Sequence, residues 1–182
     1  MEKAIASAET EAARGESEHV LARSKRGNWT IGEIVRGIPP FPGVRESFRR
    51  LAGVANVVVV SATPIEALLR EWSEHNIASD AALICGQEMG PTAEHIAAVS
   101  NGSVGEKVLM VGDSPSDLNA STANGILFHP IIPGDEEASW SQLLEEGFGR
   151  FFAKTCCGPY EQRLLERFHQ ALPDEPPWKE IT

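Results

Sequence analysis

The rhythm of apolar and polar positions changes near Gly43. Before it, residues 1–26 are rich in Ala and Glu, with Ile5, Ala8, Ala12 and Ala13 loosely at helical spacing. Gly15 interrupts that pattern, which predicts one or two weakly amphipathic helices. Residues 27–43 (GNWTIGEIVRGIPPFPG) place Gly and Pro on both sides of a short apolar segment and read as a boundary or hinge. Residues 44–52 then read as a helix stopped by Gly53. Asn56–Ser61 (NVVVVS) is a continuous β-branched run, as expected for a strand covered on both faces. Thr63, Pro64 and Glu66 have the pattern of a capping box with proline at the first helical position. The helix that follows runs to about His75, with Ile65, Leu68, Leu69 and Trp72 on one face.

The strand–helix unit repeats. Strands are expected at Ala81–Cys85, Lys107–Val111 and Ile126–His129, and helices at Thr92–Val99 and from Ser114 to Gly125. Two more helices follow, over 136–153 and 159–172, the first carrying Trp140, Leu143, Leu144, Phe148, Phe151 and Phe152. Strands alternating with helices over short connections imply an α/β fold with a Rossmann-like parallel sheet flanked by helices, joined by right-handed crossovers. The expected organisation is a helical segment at 1–38, an α/β core with C-terminal helices at 39–172, and a Pro-rich flexible tail at 173–182.

Composition narrows the partners. A net charge of −10 argues against nucleic acid, which calls for clustered Lys and Arg; Arg23, Lys25 and Arg26 are the only basic cluster. Unbroken apolar runs such as Val57–Val60 are far short of the ~20 residues of a membrane helix. The acidic start lacks the apolar centre of a signal peptide. Three cysteines, Cys85, Cys156 and Cys157, make neither a disulfide framework nor a zinc spacing. These features lead to an expectation of a cytoplasmic protein without membrane or nucleic-acid partners.

Two expected strand ends carry polar chemistry. Ser61-Ala62-Thr63-Pro64 places a hydroxyl and free N–H groups at a helix start, where anions bind, although a plain helix cap explains it equally well. In Gly112-Asp113-Ser114-Pro115-Ser116-Asp117, an acid at the strand end and another in the first helical turn face one point, which suits Mg²⁺. The plainer reading of that stretch is a capped turn with Asp117 complementing the helix dipole.

Together, in this order and about 50 residues apart, the two stretches resemble motifs of the haloacid dehalogenase superfamily. VVVVSATP is similar to its second motif, VLMVGDSPSD to its fourth (GDxxxD), and FPGVRESFRRL to the helix that often precedes the second; the likeness spans roughly residues 40–130. The resemblance implies Ser61, with Ala62, as phosphate ligands, and Asp113 with Asp117 as Mg²⁺ carboxylates. It implies a Mg²⁺-dependent phosphomonoester phosphatase acting on a small phosphorylated metabolite, and residues 1–38 as the remnant of a helical cap.

Two family features are missing. The first motif is a strand ending in Asp-x-Asp that supplies the nucleophile, yet the first aspartate of this chain is Asp80. The third motif supplies a lysine, and the matching site around Gly90, Pro91 and Thr92 has none; Lys107 falls at the wrong end of its strand. No catalytic residue is therefore identified, Mg²⁺ is expected to bind weakly, and the chain is expected to be a truncated, inactive hydrolase or a non-catalytic phosphate- and metal-binding or scaffold module. Without the first-motif strand, Asn56–Ser61 and Lys107–Val111 are expected to be bridged from residues 1–38, to flank a gap, or to pair directly. Direct pairing is favoured because it restores ladder hydrogen bonds, and unpaired edges would promote self-association. His75 and His95 read as scattered, His129 as a surface residue, and the cysteines as inert thiols.

Overall fold

The computed structural model describes residues 37–90, 92–100 and 105–173. The expected helices of residues 1–26, the cap-like segment and most of the tail lie outside the described residues. The chain divides into two units, Met1–Ile38 and Pro39–Thr182, and the elements below belong to the second.

It is a mixed α/β structure with short parallel strand pairs. Helix α1 (Val44–Leu51) leads to β1 (Val58–Val60), α2 (Ile65–Glu74), β2 (Leu83–Cys85), α3 (Thr92–Ser100), β3 (Gly105–Gly112), α4 (Pro115–Ala123) and β4 (Ile126–Pro130). Glu136–Gln142 (α5), a π turn at Leu143–Gly147 and Phe148–Phe152 (α6) follow as one continuous helical stretch, and Pro159–Ala171 forms α7. Strand β1 pairs in parallel with β2, Val59 opposite Ile84, and β3 pairs in parallel with β4, Met110 opposite Phe128.

These are two two-stranded sheets, and among the described residues β1 and β3 do not pair. The expected direct pairing is thus overturned, and among the described residues the two strands flank a gap; the alternative of a bridge from residues 1–38 lies outside the described residues. The reason lies in water. Direct pairing seemed necessary on the premise of a dry interior, but β1 and most of β3 are only half-buried. Their outer backbone groups reach solvent, so leaving them without ladder partners is far cheaper than it would be in a dry core.

Which groups point into the gap follows from the bonds that point away from it. In a parallel ladder, alternate residues direct both N–H and C=O to the same side. The Ser61 N–H donates to the Cys85 carbonyl and the Ala82 N–H to the Val57 carbonyl, so Val57, Val59 and Ser61 face β2. The Ile131 N–H donates to the Gly112 carbonyl, so Gly112 and Met110 face β4. Val58, Val60, Leu109 and Val111 therefore turn their peptide groups into the gap.

Strand β4 differs: all five residues are buried. Helices α4 and α7 both pack on it. Phe128 meets Phe168 of α7 edge to face, ring centroids 5.6 Å apart, and Ile126 joins Ile96 of α3 and Ala120 of α4 in a small cluster with Val108 and Met110. Arg167 of α7 reaches across to Asp135 and Gln142, 2.9 Å from each.

The π turn interrupts what reads as one regular helix. Leu143 is completely buried there, and Arg50 of α1 donates to the Leu144 carbonyl at 2.6 Å. A Cβ at Gly147 would lie 2.9 Å from Leu143 Cδ1 and 3.1 Å from His129 Cε1, so glycine lets the turn close on β4 without displacing those side chains.

Candidate functional site

Ser61 directly follows β1 and Asp113 directly follows β3, so both singled-out stretches stand at carboxyl ends of strands, the side on which parallel α/β sheets bind ligands. Between the two strands opens a cavity of about 920 Å³, lined by Val57–Val60 on one side and Glu106–Asp113 on the other. Consecutive residues line it, whereas a sheet face would offer every second residue. The cavity is therefore bounded by strand edges.

The turn after β3 is built by reciprocal capping. The Ser114 hydroxyl accepts from the Asp117 N–H at 3.2 Å, while Asp117 Oδ2 accepts from the N–H groups of Asp113 and Ser114, each at 3.2 Å. Pro115 opens the helix, where a missing N–H does no harm. A Cβ on Gly112 would lie 2.6 Å from Asp117 Oδ2, which explains why glycine precedes Asp113: the folded-back carboxylate fills the space a side chain would take. Asp117 is thus a structural cap whatever else it does. Asp113 is exposed and keeps both oxygens for a ligand, and Asp117 keeps Oδ1. Two carboxylates with waters suit a loosely held Mg²⁺. Among the described residues no three His, Cys, Asp or Glu side chains gather to hold a metal.

The turn after β1 differs from the capping box expected there. Pro64, not Thr63, is the N-cap of α2, and no side chain of the segment itself caps the helix. Proline is locked at φ −55° with an extended ψ of 137°, so the helix starts one residue later. The Ile65 N–H instead donates to Glu88 Oε2 at 3.1 Å, from a 3₁₀ turn at Gln87–Met89. Gly86 makes this possible, since a Cβ there would lie 2.6 Å from the Ile65 nitrogen. The Ser61 hydroxyl accepts from the Thr63 N–H at 3.1 Å and keeps its own proton to donate. The Ala62 N–H has no partner among the described residues. One hydroxyl and one amide are available to an anion, and Glu88 competes with it for the helix start.

Of the other residues weighed in the sequence, Lys107 is exposed near the start of β3, far along the strand from Asp113. Cys156 is buried and Cys157 exposed; burial, aided by neighbouring acids, pushes both thiols up, away from the reactive thiolate. His129 is a correction. It lies within β4, 2 % exposed, rather than at the surface, because the strand extends through Pro130 and α7 covers it. Burial pushes its pKa down to about 4 against a hydrogen bond with the Ser139 backbone. His129 Nε2 and the Tyr160 hydroxyl, whose rings lie 6.4 Å apart, both lack partners among the described residues. The pairing of Glu88 with α2 was also not anticipated; it links residues 23 apart, and local spacing carries no signal for it.

No protein-family model matches the chain, and neither a curated protein nor a solved structure is significantly similar to it.

Proposed function

We propose that residues 39–172 are the core of a haloacid-dehalogenase-type phosphohydrolase of the Mg²⁺-dependent phosphomonoester class, with a Rossmann-like sheet and without a nucleophile in this sequence. The observation that carries the proposal is the placement of Ser61 and Asp113 at the carboxyl ends of the two strands that flank the open gap. In this reading the Ser61 hydroxyl and the Ala62 amide receive the phosphate oxygens of a small phosphorylated metabolite. Asp113, with Asp117 Oδ1, holds Mg²⁺, which neutralises phosphate charge when bound. Among the described residues no side chain in reach replaces the missing aspartate, and in this reading the chain by itself binds and does not turn over.

A second reading, a non-catalytic phosphate-binding or scaffold module, is favoured by one observation: Asp117 is already committed to its cap. The two readings share the binding step and part at chemistry. Inorganic phosphate should bind only with Mg²⁺ present, weakly, and Asp113→Asn should abolish it, as followed by amide shifts of Ala62 and Asp113. Hydrolysis of p-nitrophenyl phosphate should be negligible. A fragment bearing an apolar strand that ends in Asp-x-Asp should restore Mg²⁺-dependent hydrolysis under the first reading and leave binding without turnover under the second. Turnover by the unsupplemented protein that Asp113→Asn removes would refute both.

A further inference from the structure

The gap between β1 and β3 has the form of a strand-binding slot. Val58 and Val60 on one wall and Leu109 and Val111 on the other turn their peptide N–H and C=O groups towards each other across it. A strand residue in a covered sheet fills roughly 160 Å³, from a ~4.8 Å strand spacing, a ~10 Å layer and a ~3.3 Å rise. On that measure, the cavity of about 920 Å³ corresponds to about six residues.

The remaining lining sets the chemistry of the occupant. Phe48, Trp72, Ile96, Trp140 and Phe148 come from helices α1, α2, α3, α5 and α6. Most of the lining is apolar, with Glu106, Lys107, Asp113, Glu136 and Lys154 as its charged members, so an inserted strand must be predominantly apolar. Of the eight large apolar side chains left exposed among the described residues, Phe41, Val54, Val99 and Phe152 border this cavity. Half of the exposed large apolar side chains thus gather at one opening, which marks an interaction surface.

We infer that this slot binds an extended, uncharged, β-branched strand of about six residues from another polypeptide, which completes a continuous sheet by hydrogen bonding to both edges. The inference stands on the backbone geometry of the two strand edges and does not rest on the phosphohydrolase reading.

The test uses the full chain and the peptide KKVIVVIVKK, whose lysines keep it dispersed. With saturating peptide, hydrogen exchange at the amides of Val58, Val60, Leu109 and Val111 should slow by at least about tenfold. The amides of Ser61 and Ile131, already bonded to Cys85 and Gly112, should change little. The same peptide N-methylated at every amide of its six apolar residues should give no protection, because neither of its edges can then pair. Three results would overturn the inference: the four amides already protected in the free protein, which would place the chain's own segment or a second copy in the slot; equal protection by the N-methylated peptide; or no protection at all.

Discussion

His129 is held neutral in β4 with a pKa near 4, while in the unfolded chain it takes up a proton below its ordinary value of about 6.5. Between these values the unfolded state binds more protons, so stability is full above pH 6.5 and is lost as the pH falls towards 4. The span corresponds to on the order of 3 kcal/mol. Urea-unfolding midpoints measured from pH 7 to pH 4.5 should therefore fall more steeply for the natural protein than for His129→Leu, with carboxylate titration common to both. Parallel curves would show that His129 is not the sensor. At the same scale, Tyr160 is stacked under the Arg150 guanidinium, 4.6 Å from the ring centroid, and burial pushes its phenol up to about 12. It therefore stays protonated throughout the range tested.

Two helices start beside the candidate site, and they are capped by opposite strategies. Helix α4 is capped by its own Ser114 and Asp117, whereas α2 borrows Glu88 from a distant turn. Asp117→Ala strips acceptors from two backbone N–H groups and should lower stability by about 1–2 kcal/mol. Asp113→Ala, at an exposed carboxylate, should stay within about 0.5 kcal/mol. Chemical denaturation of the two variants separates the structural acid from the acid left free for ligand; equal losses would contradict that division. The same contrast shows what could be read in advance. The Ser-Pro-x-Asp pattern is local, so α4 and its cap were legible. The strands were legible as short apolar runs, and all four expected strand sites hold strands. The α2 cap depends on Gly86 admitting a turn from beyond β2, and nothing within the helix's own residues reports that approach. The π turn was equally hidden, because Leu143–Glu146 are ordinary helix-forming residues and the close approach of Gly147 to His129 of β4 is a tertiary contact.

Across the whole molecule, burial is unevenly shared. The β3–β4 half is wrapped by α3, α4 and α7, and β4 is buried throughout. The β1–β2 half keeps half-exposed strands and an exposed Leu83. Local opening follows such differences. Native-state hydrogen exchange should find the amides of Leu127, Phe128 and His129 opening only with global unfolding, and those of Val59 and Ser61 opening at lower free energy. A single common opening energy would mean that the halves unfold as one. The family resemblance led to an expectation of unpaired edges at β1 and β3, but not of how they would be tolerated, since that depends on how much water reaches Val58–Val60 and β3. The run that borders the gap also has a second character. Asn56–Ser61 is six residues of high β-propensity with no charge and no proline, the composition of dry fibril spines. Flanking residues blunt it: Pro64 follows closely, and Glu106 with Lys107 puts charge on the facing strand. An occupant of the gap that pairs with this run would also cover the strand edge that such a composition offers to other chains.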